Sequence, residues 1–272
     1  MKASGVTAVN NSANPFNQQN SVLPILKPQD SYEKNIIKDN DGKLLIRGLN
    51  NFTPQSRNKI NEAVSIAQYW LDGAMNVLNS RASDVIGLAE FNSKERRYEK
   101  KQIFELYTGM SELLDPAFTL FKIDCSSKNF IVARVDKLDP QKRIFINIEA
   151  LDSRSSTEMA ITIMHELSHI FCNTMDYFYI NLPEDNAEVI AKKTINYLNS
   201  STASIKHIID TDNEINTSES IIENSLAGVG CEFNSHDEFL STWKNERYKI
   251  LLNTADYLVA RAIYLAGQDT CP

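Results

Sequence analysis

Ser155, with Glu158 three residues on, opens a run in which Met159, Ile163, Met164, Leu167, Ile170 and Phe171 recur at steps of three and four. The spacing marks one face of an α-helix, and a Ser with a Glu three residues later is a capping box that satisfies two backbone N–H groups at the helix start. This segment constrains the chain most, because it sets where a helix begins, which face is buried and which side chains share a turn. Inside it stands His165-Glu166-Leu167-Ser168-His169. Histidines four apart lie one turn apart on one face, where both imidazoles can ligate one tetrahedral zinc. Glu166, beside the first of them, is placed to take a proton from the water such an ion activates. The chain has four histidines, and half of them are in this one turn, which argues against two chance solvated rings. The other two, His207 and His236, sit in polar surroundings and read as solvated.

The rest of the sequence gives this helix a setting. Ile60, Ala63, Val64, Ala67, Trp70, Leu71, Ala74, Met75 and Leu78 predict a long amphipathic helix over 58–78, and Ile103, Leu106, Tyr107, Met110, Leu113 and Leu114 a second within 95–114, ended by Pro116. Strands are expected at Phe118–Ile123, Phe130–Val135 and Ile144–Ile148, with a short one at Leu44–Ile46. Further helices are expected at 186–198 and, closing the chain, at 238–266 with Gly267 as its stop. A few strands among many helices predict an α+β fold, mostly helical with a small sheet. Residues 1–30, rich in Asn, Ser, Gln and Pro, read as a disordered leader, and 31–57 as an N-terminal extension to a domain spanning 58–272. The 28 basic residues are outnumbered by 35 acidic ones, and no stretch concentrates Lys and Arg, which argues against a nucleic-acid partner. No apolar run approaches the ~20 residues a bilayer span needs. Cys125, Cys172, Cys231 and Cys271 are scattered without a CxxC pair and read as free, mostly buried thiols rather than zinc ligands. The leader has no apolar signal core. It resembles those of bacterial effectors exported by dedicated machines, so the expectation is secretion by a non-Sec route, with a cytoplasmic location as the alternative.

A catalytic zinc keeps three protein ligands and one open position. Two acids compete for the third. Asp176 lies seven residues after His169, past Asn173, a plausible helix stop. Glu188 lies nineteen after, on the next helix, close to the thermolysin-like spacing.

The segment from His165 to Tyr179 resembles the aspzincin metallopeptidases, the family of deuterolysin and peptidyl-Lys metalloendopeptidase. Their HExxH is followed after a short gap by GTxDxxYG. Thr174, Asp176 and Tyr179 stand at the matching Thr, Asp and Tyr, while Asn173 and Ile180 replace the two glycines. The resemblance implies a zincin-like domain holding one Zn²⁺ per chain on His165, His169 and Asp176, with Tyr179 stabilising the transition state. Asn253-Thr254-Ala255-Asp256-Tyr257 is similar to the family's closing N-A-D-x-Y motif, which implies that Asp256 binds a substrate lysine. Residues 181–236 read as an insertion relative to compact members. The implied activity is a zinc endopeptidase acting on a protein or peptide, cutting before Lys. Two alternatives stand beside it: a zincin with Glu188 as third ligand and no lysine preference, and a non-catalytic zinc-binding interaction protein.

Overall fold

The apolar periodicities become helices and the β-branched runs become short strands. The computed structural model describes residues 37–38, 44–45, 48–80, 93–115, 121–125, 131–200, 203–205, 208 and 214–269. In chain order these form strands β1 (Ile37–Lys38) and β2 (Leu44–Leu45), helices α1 (Pro54–Asn79) and α2 (Ser93–Leu113), and strands β3 (Phe121–Ile123), β4 (Ala133–Val135) and β5 (Ile144–Ile146). Then come α3 (Ile148–Ser153), α4 (Ser156–Cys172), β6 (Tyr179–Ile180), α5 (Ala187–Leu198), β7 (Ile215–Asn216), α6 (Glu219–Leu226), α7 (His236–Leu252) and α8 (Ala255–Asp269). The fold is mostly helical with a small mixed sheet, an α+β arrangement. The polar leader 1–30, His207 and Cys271 lie outside the described residues.

Helix α1 starts where Thr53 Oγ1 accepts from Ser56 N at 3.1 Å and Pro54 occupies the first turn, a position that needs no N–H. Leu49 and Phe52 are buried ahead of it, so the folded body reaches back to Leu49 and not only to residue 58. Helix α8 is buried on all sides from Ala255 to Ala266 and packs against α1, α4 and α5. The approach to α1 is close: a Cβ on Gly73 would lie 3.0 Å from Ala266 Cβ and 3.1 Å from its Cα. Within 181–236, α5 packs on α8 and β7 pairs with β6.

The three-stranded sheet has the order β3-β5-β4, with β3 parallel and β4 antiparallel to β5. Phe121, Ala133, Ile144 and Ile146 are its buried residues, and α4 packs against β4. In register across the other face, Lys122, Phe145 and Arg134 form one row. Strand β4 is one of the two edges of this sheet, and its last residue, Val135, borders the cavity beside His169 and Asp176.

Three sequence expectations change. The closing helix is two helices, α7 and α8, broken at Asn253-Thr254. Tertiary pairing causes the break: Thr254 forms a parallel bridge with Met175, with Met175 N donating to Asn253 O at 2.8 Å and Ala255 N to Met175 O at 3.2 Å. Gly267 does not stop α8, which runs on to Asp269. Cys125 is exposed, whereas Cys172 and Cys231 are partly buried; all three are free thiols.

The turn after β4 is held by one buried carboxylate. Asp139 accepts from Arg143 Nε at 2.8 Å and Nη2 at 3.2 Å, and from the backbone N–H groups of Gln141 and Arg143 at 3.2 and 3.0 Å. Burial pushes its pKa up, but the bonds from Arg143 and Gln141 outweigh this and hold it below the usual carboxylate value. A depressed folded pKa means stability that is complete above the unfolded value near 4 and lost as pH falls through the folded one. Asp139→Asn is therefore expected to lower unfolding stability by about 1–3 kcal/mol at pH 7. The gap from the unmodified chain should shrink below pH 4 in urea titrations, and a gap that stays constant with pH counts against this account.

Candidate metal centre

The capping box forms: Ser155 Oγ accepts from Glu158 N at 3.1 Å, and Ser155 N donates to Glu158 Oε2 at 2.9 Å. It sets the register of α4, so that His165 and His169 stand on one face with ring centroids 4.7 Å apart and planes nearly perpendicular. The helix ends at Asn173, whose left-handed backbone (φ 53, ψ 33) turns the chain back while its N–H bonds Ser168 O. Asn tolerates this conformation, so no glycine is needed for the turn.

The returning segment is tied at nearly every residue. Thr174 Oγ1 lies 2.7 Å from Ser168 Oγ, and Met175 is bridged to Thr254. Asp176 O accepts from Ser225 Oγ at 2.7 Å, and Tyr177 O accepts from Thr217 Oγ1 at 2.6 Å. Lys137, just past β4, donates to Thr174 O at 3.2 Å and Val229 O at 3.1 Å, with Met175 Sδ at 3.1 Å. These ties fix Asp176 against the histidines.

Three ligand atoms converge. His165 Nε2 and His169 Nε2 are 3.0 Å apart, and Asp176 Oδ1 lies 3.2 Å from each. The partners of the other ring nitrogens assign the tautomers. His169 Nδ1 faces Thr174 O at 3.0 Å, and a carbonyl can only accept, so Nδ1 carries the proton. His165 Nδ1 donates likewise to Asp256 Oδ1 at 2.5 Å. In the neutral rings both Nε2 atoms are then bare lone pairs pointed at each other. Asp176 Oδ1 is buried beside them without a hydrogen bond. Three acceptors this close repel unless a proton or a metal cation lies among them. Tetrahedral zinc with bonds of roughly 2.0–2.1 Å spaces its ligands about 3.3 Å apart, close to the triangle seen here. The donor set of two imidazoles and one carboxylate, with a fourth direction left for a small molecule, fits Zn²⁺.

The surroundings are tuned for positive charge at this point. Burial alone depresses His165, but the Asp256 and Asp176 carboxylates reverse this and hold it well above its ordinary value. Burial likewise raises Asp176, and the two histidines more than reverse it, leaving that carboxyl far below the usual range. Glu166, 6% exposed, accepts from the backbone N–H of Val135; burial raises its pKa, partly offset by His165 and His169. Tyr179, 40% exposed, stacks over His165 at 6.2 Å, and burial and the Asp176 charge raise its hydroxyl pKa, so it is a proton donor at neutral pH.

The cluster among the described residues that could hold a metal is His165, His169 and Asp176. Glu188 is elsewhere. Its carboxylate packs against Gly267, eleven residues along α8 from Asp256, about 16 Å at 1.5 Å per residue. In this structure it is not part of the cluster. His236 begins α7 and is also apart from the cluster. Asp256 is 8% exposed, and both of its oxygens are occupied, Oδ1 by His165 and Oδ2 by Ile180 N at 2.5 Å. Both bonds are within the protein, and Asp256 is not among the residues that line the cavity beside His169 and Asp176. Such a carboxylate behind a metal-binding histidine fixes its tautomer and raises its basicity. Asp256→Asn is thus expected to weaken zinc affinity about 10–100-fold with the fold intact, measured by competition with a chelating dye. Unchanged affinity defeats that role. Ser168, Thr217, Ser225 and Lys137 hold the site together without any signal in the sequence beyond their polarity.

An open cavity of about 340 Å³ lies against His169 and Asp176, lined also by Val135, Lys137, Tyr179 and Asn224. Comparison of the chain with protein-family models, curated proteins and solved structures finds no match.

Proposed function

We propose that this chain is a zinc-dependent endopeptidase of the zincin type, with the ligand set of the aspzincins. One observation carries the reading: two imidazole Nε2 atoms and a carboxylate oxygen converge within 3.0–3.2 Å, and the residue following the first histidine is a buried glutamate. A purely structural site needs no such base.

When bound, zinc supplies a Lewis acid for a carbonyl oxygen and lowers the pKa of water toward neutrality. The chain's own groups do the rest. An extended substrate adds to the side of β4 that pairs with no other strand among the described residues, ahead of the Val135 N–H that Glu166 holds, so that backbone hydrogen bonds align the scissile amide. Glu166 takes one proton from the attacking water as its oxygen bonds the carbonyl carbon. It then delivers that proton to the amide nitrogen as the C–N bond breaks. Tyr179 donates its hydroxyl hydrogen to the carbonyl oxygen as negative charge grows there. Asp256 and Thr174 O keep the two imidazoles aimed throughout.

The test is proteolysis of an unfolded protein such as casein by the zinc-loaded chain. Cleavage abolished by a chelator and restored by zinc is the expected result. A chain that holds zinc stoichiometrically yet cleaves neither casein nor a peptide library is a binding protein and overturns the reading.

A further inference from the structure

The cavity beside the ligands has walls of Val135, Met175 and Ile221, which suit methylene groups, and polar groups from Lys137, Asn224 and Tyr179. Its carboxylate is that of Asp176, which faces the two histidines. A lysine side chain entering here meets an ammonium and a metal with no carboxylate left to pair with it, and an unpaired charge in such a place is heavily penalised. The chemistry therefore runs opposite to the lysine preference that the family resemblance implies.

Lys137 shows what the cavity takes instead. An ammonium has three protons to donate. Two go to the carbonyls of Thr174 and Val229, and the third faces Met175 Sδ at 3.1 Å. A thioether is a weak acceptor, so this direction is under-used, and it lies at the cavity wall that Lys137 and Met175 share.

We propose that this cavity is a specificity subsite for an acidic side chain of the substrate, whose carboxylate replaces Met175 Sδ as the third acceptor of Lys137 Nζ. The inference rests on the peptidase reading above and names its substrate class: segments with Glu or Asp next to the scissile bond. Charge-assisted bonds to a partly buried ammonium discriminate by about 10–100-fold.

The experiment is digestion of a degenerate peptide library by the zinc-loaded full-length chain, with cleavage positions read by mass spectrometry. Kinetics on matched peptides carrying Glu, Ala or Lys at the selected position follow. Expected are enrichment of Glu and Asp, depletion of Lys at that same position, and a kcat/KM for the Glu peptide at least about tenfold above the Lys peptide. Lys137→Gln should remove the advantage of the Glu peptide over the Ala peptide, and Lys137→Arg should retain it. Zinc content checks that both variants keep the site. The wild-type library stands as the test even if these variants misfold, since Lys137 also ties down the Asp176 segment. Enrichment of Lys, or no acidic enrichment at any position flanking the cut, overturns this subsite while leaving the peptidase standing. No zinc-dependent cleavage of any peptide overturns both.

Discussion

Glu166→Gln is expected to retain zinc and fold while losing peptide hydrolysis by about 10²–10⁴-fold, the usual cost of removing a general base. Gln has the same shape, and its amide oxygen can still accept from the Val135 N–H that anchors Glu166. Nothing in the ligand triangle changes, because His165, His169 and Asp176 do not depend on this side chain for their hydrogen bonds. What is lost is the capacity to hold a proton between the attack on the carbonyl and departure of the amine. Burial raises the pKa of Glu166 and so favours that capacity, since a carboxylate too acidic would accept a proton poorly. The two histidines partly offset that rise. The measurement is kcat/KM on one fluorogenic peptide together with zinc stoichiometry. A Gln variant with near wild-type turnover sinks the mechanism. A variant that loses zinc as well as activity shows instead that Glu166 helps to build the site.

The core of this centre was legible because its cause is local. A helix of 3.6 residues per turn, started by Ser155 and Glu158, must put His165 and His169 together, and Asn173 must turn the chain soon after. Asp176, a few residues past that turn, cannot travel far from His169. Asp256 was harder. Its motif sits where the apolar pattern runs on without a break from α7 into α8. The break that turns its carboxylate onto His165 arises from the bridge between Met175 and Thr254, residues far apart in sequence. Local propensity contains no trace of that pairing. The same holds for Thr217 and Ser225, which lie at or in short elements of a polar stretch and matter because their hydroxyls meet the carbonyls of Tyr177 and Asp176. The position of Glu188, beside Gly267 and away from the histidines, likewise follows from the packing of α5 on α8.

Zinc should stabilise the chain strongly, and the ligand assignment predicts which variants lose that effect. An ion that binds the folded state and not the unfolded one adds RT ln(1 + [L]/Kd), about 4 kcal/mol at a thousandfold excess over Kd. For a domain of ~150–250 residues each kcal/mol moves Tm by about 2–4 °C, so saturation with zinc should raise Tm by about 8–16 °C. The three donor atoms already stand within 3.0–3.2 Å of one another, so the ion finds its ligands assembled and little ordering cost is added on binding. His165→Ala, His169→Ala and Asp176→Ala each leave two ligands, and each should abolish most of the zinc-dependent shift. Glu188→Ala, on a carboxylate packed against the far end of α8, should keep the full shift. Differential scanning calorimetry with and without zinc, alongside elemental analysis of protein purified without chelator, reads both quantities. A full shift in Asp176→Ala together with its loss in Glu188→Ala would mean that the chain rearranges to the Glu-ligand arrangement when metal arrives. Absence of any shift in the unmodified chain would mean that the triangle of acceptors is not a zinc site at all.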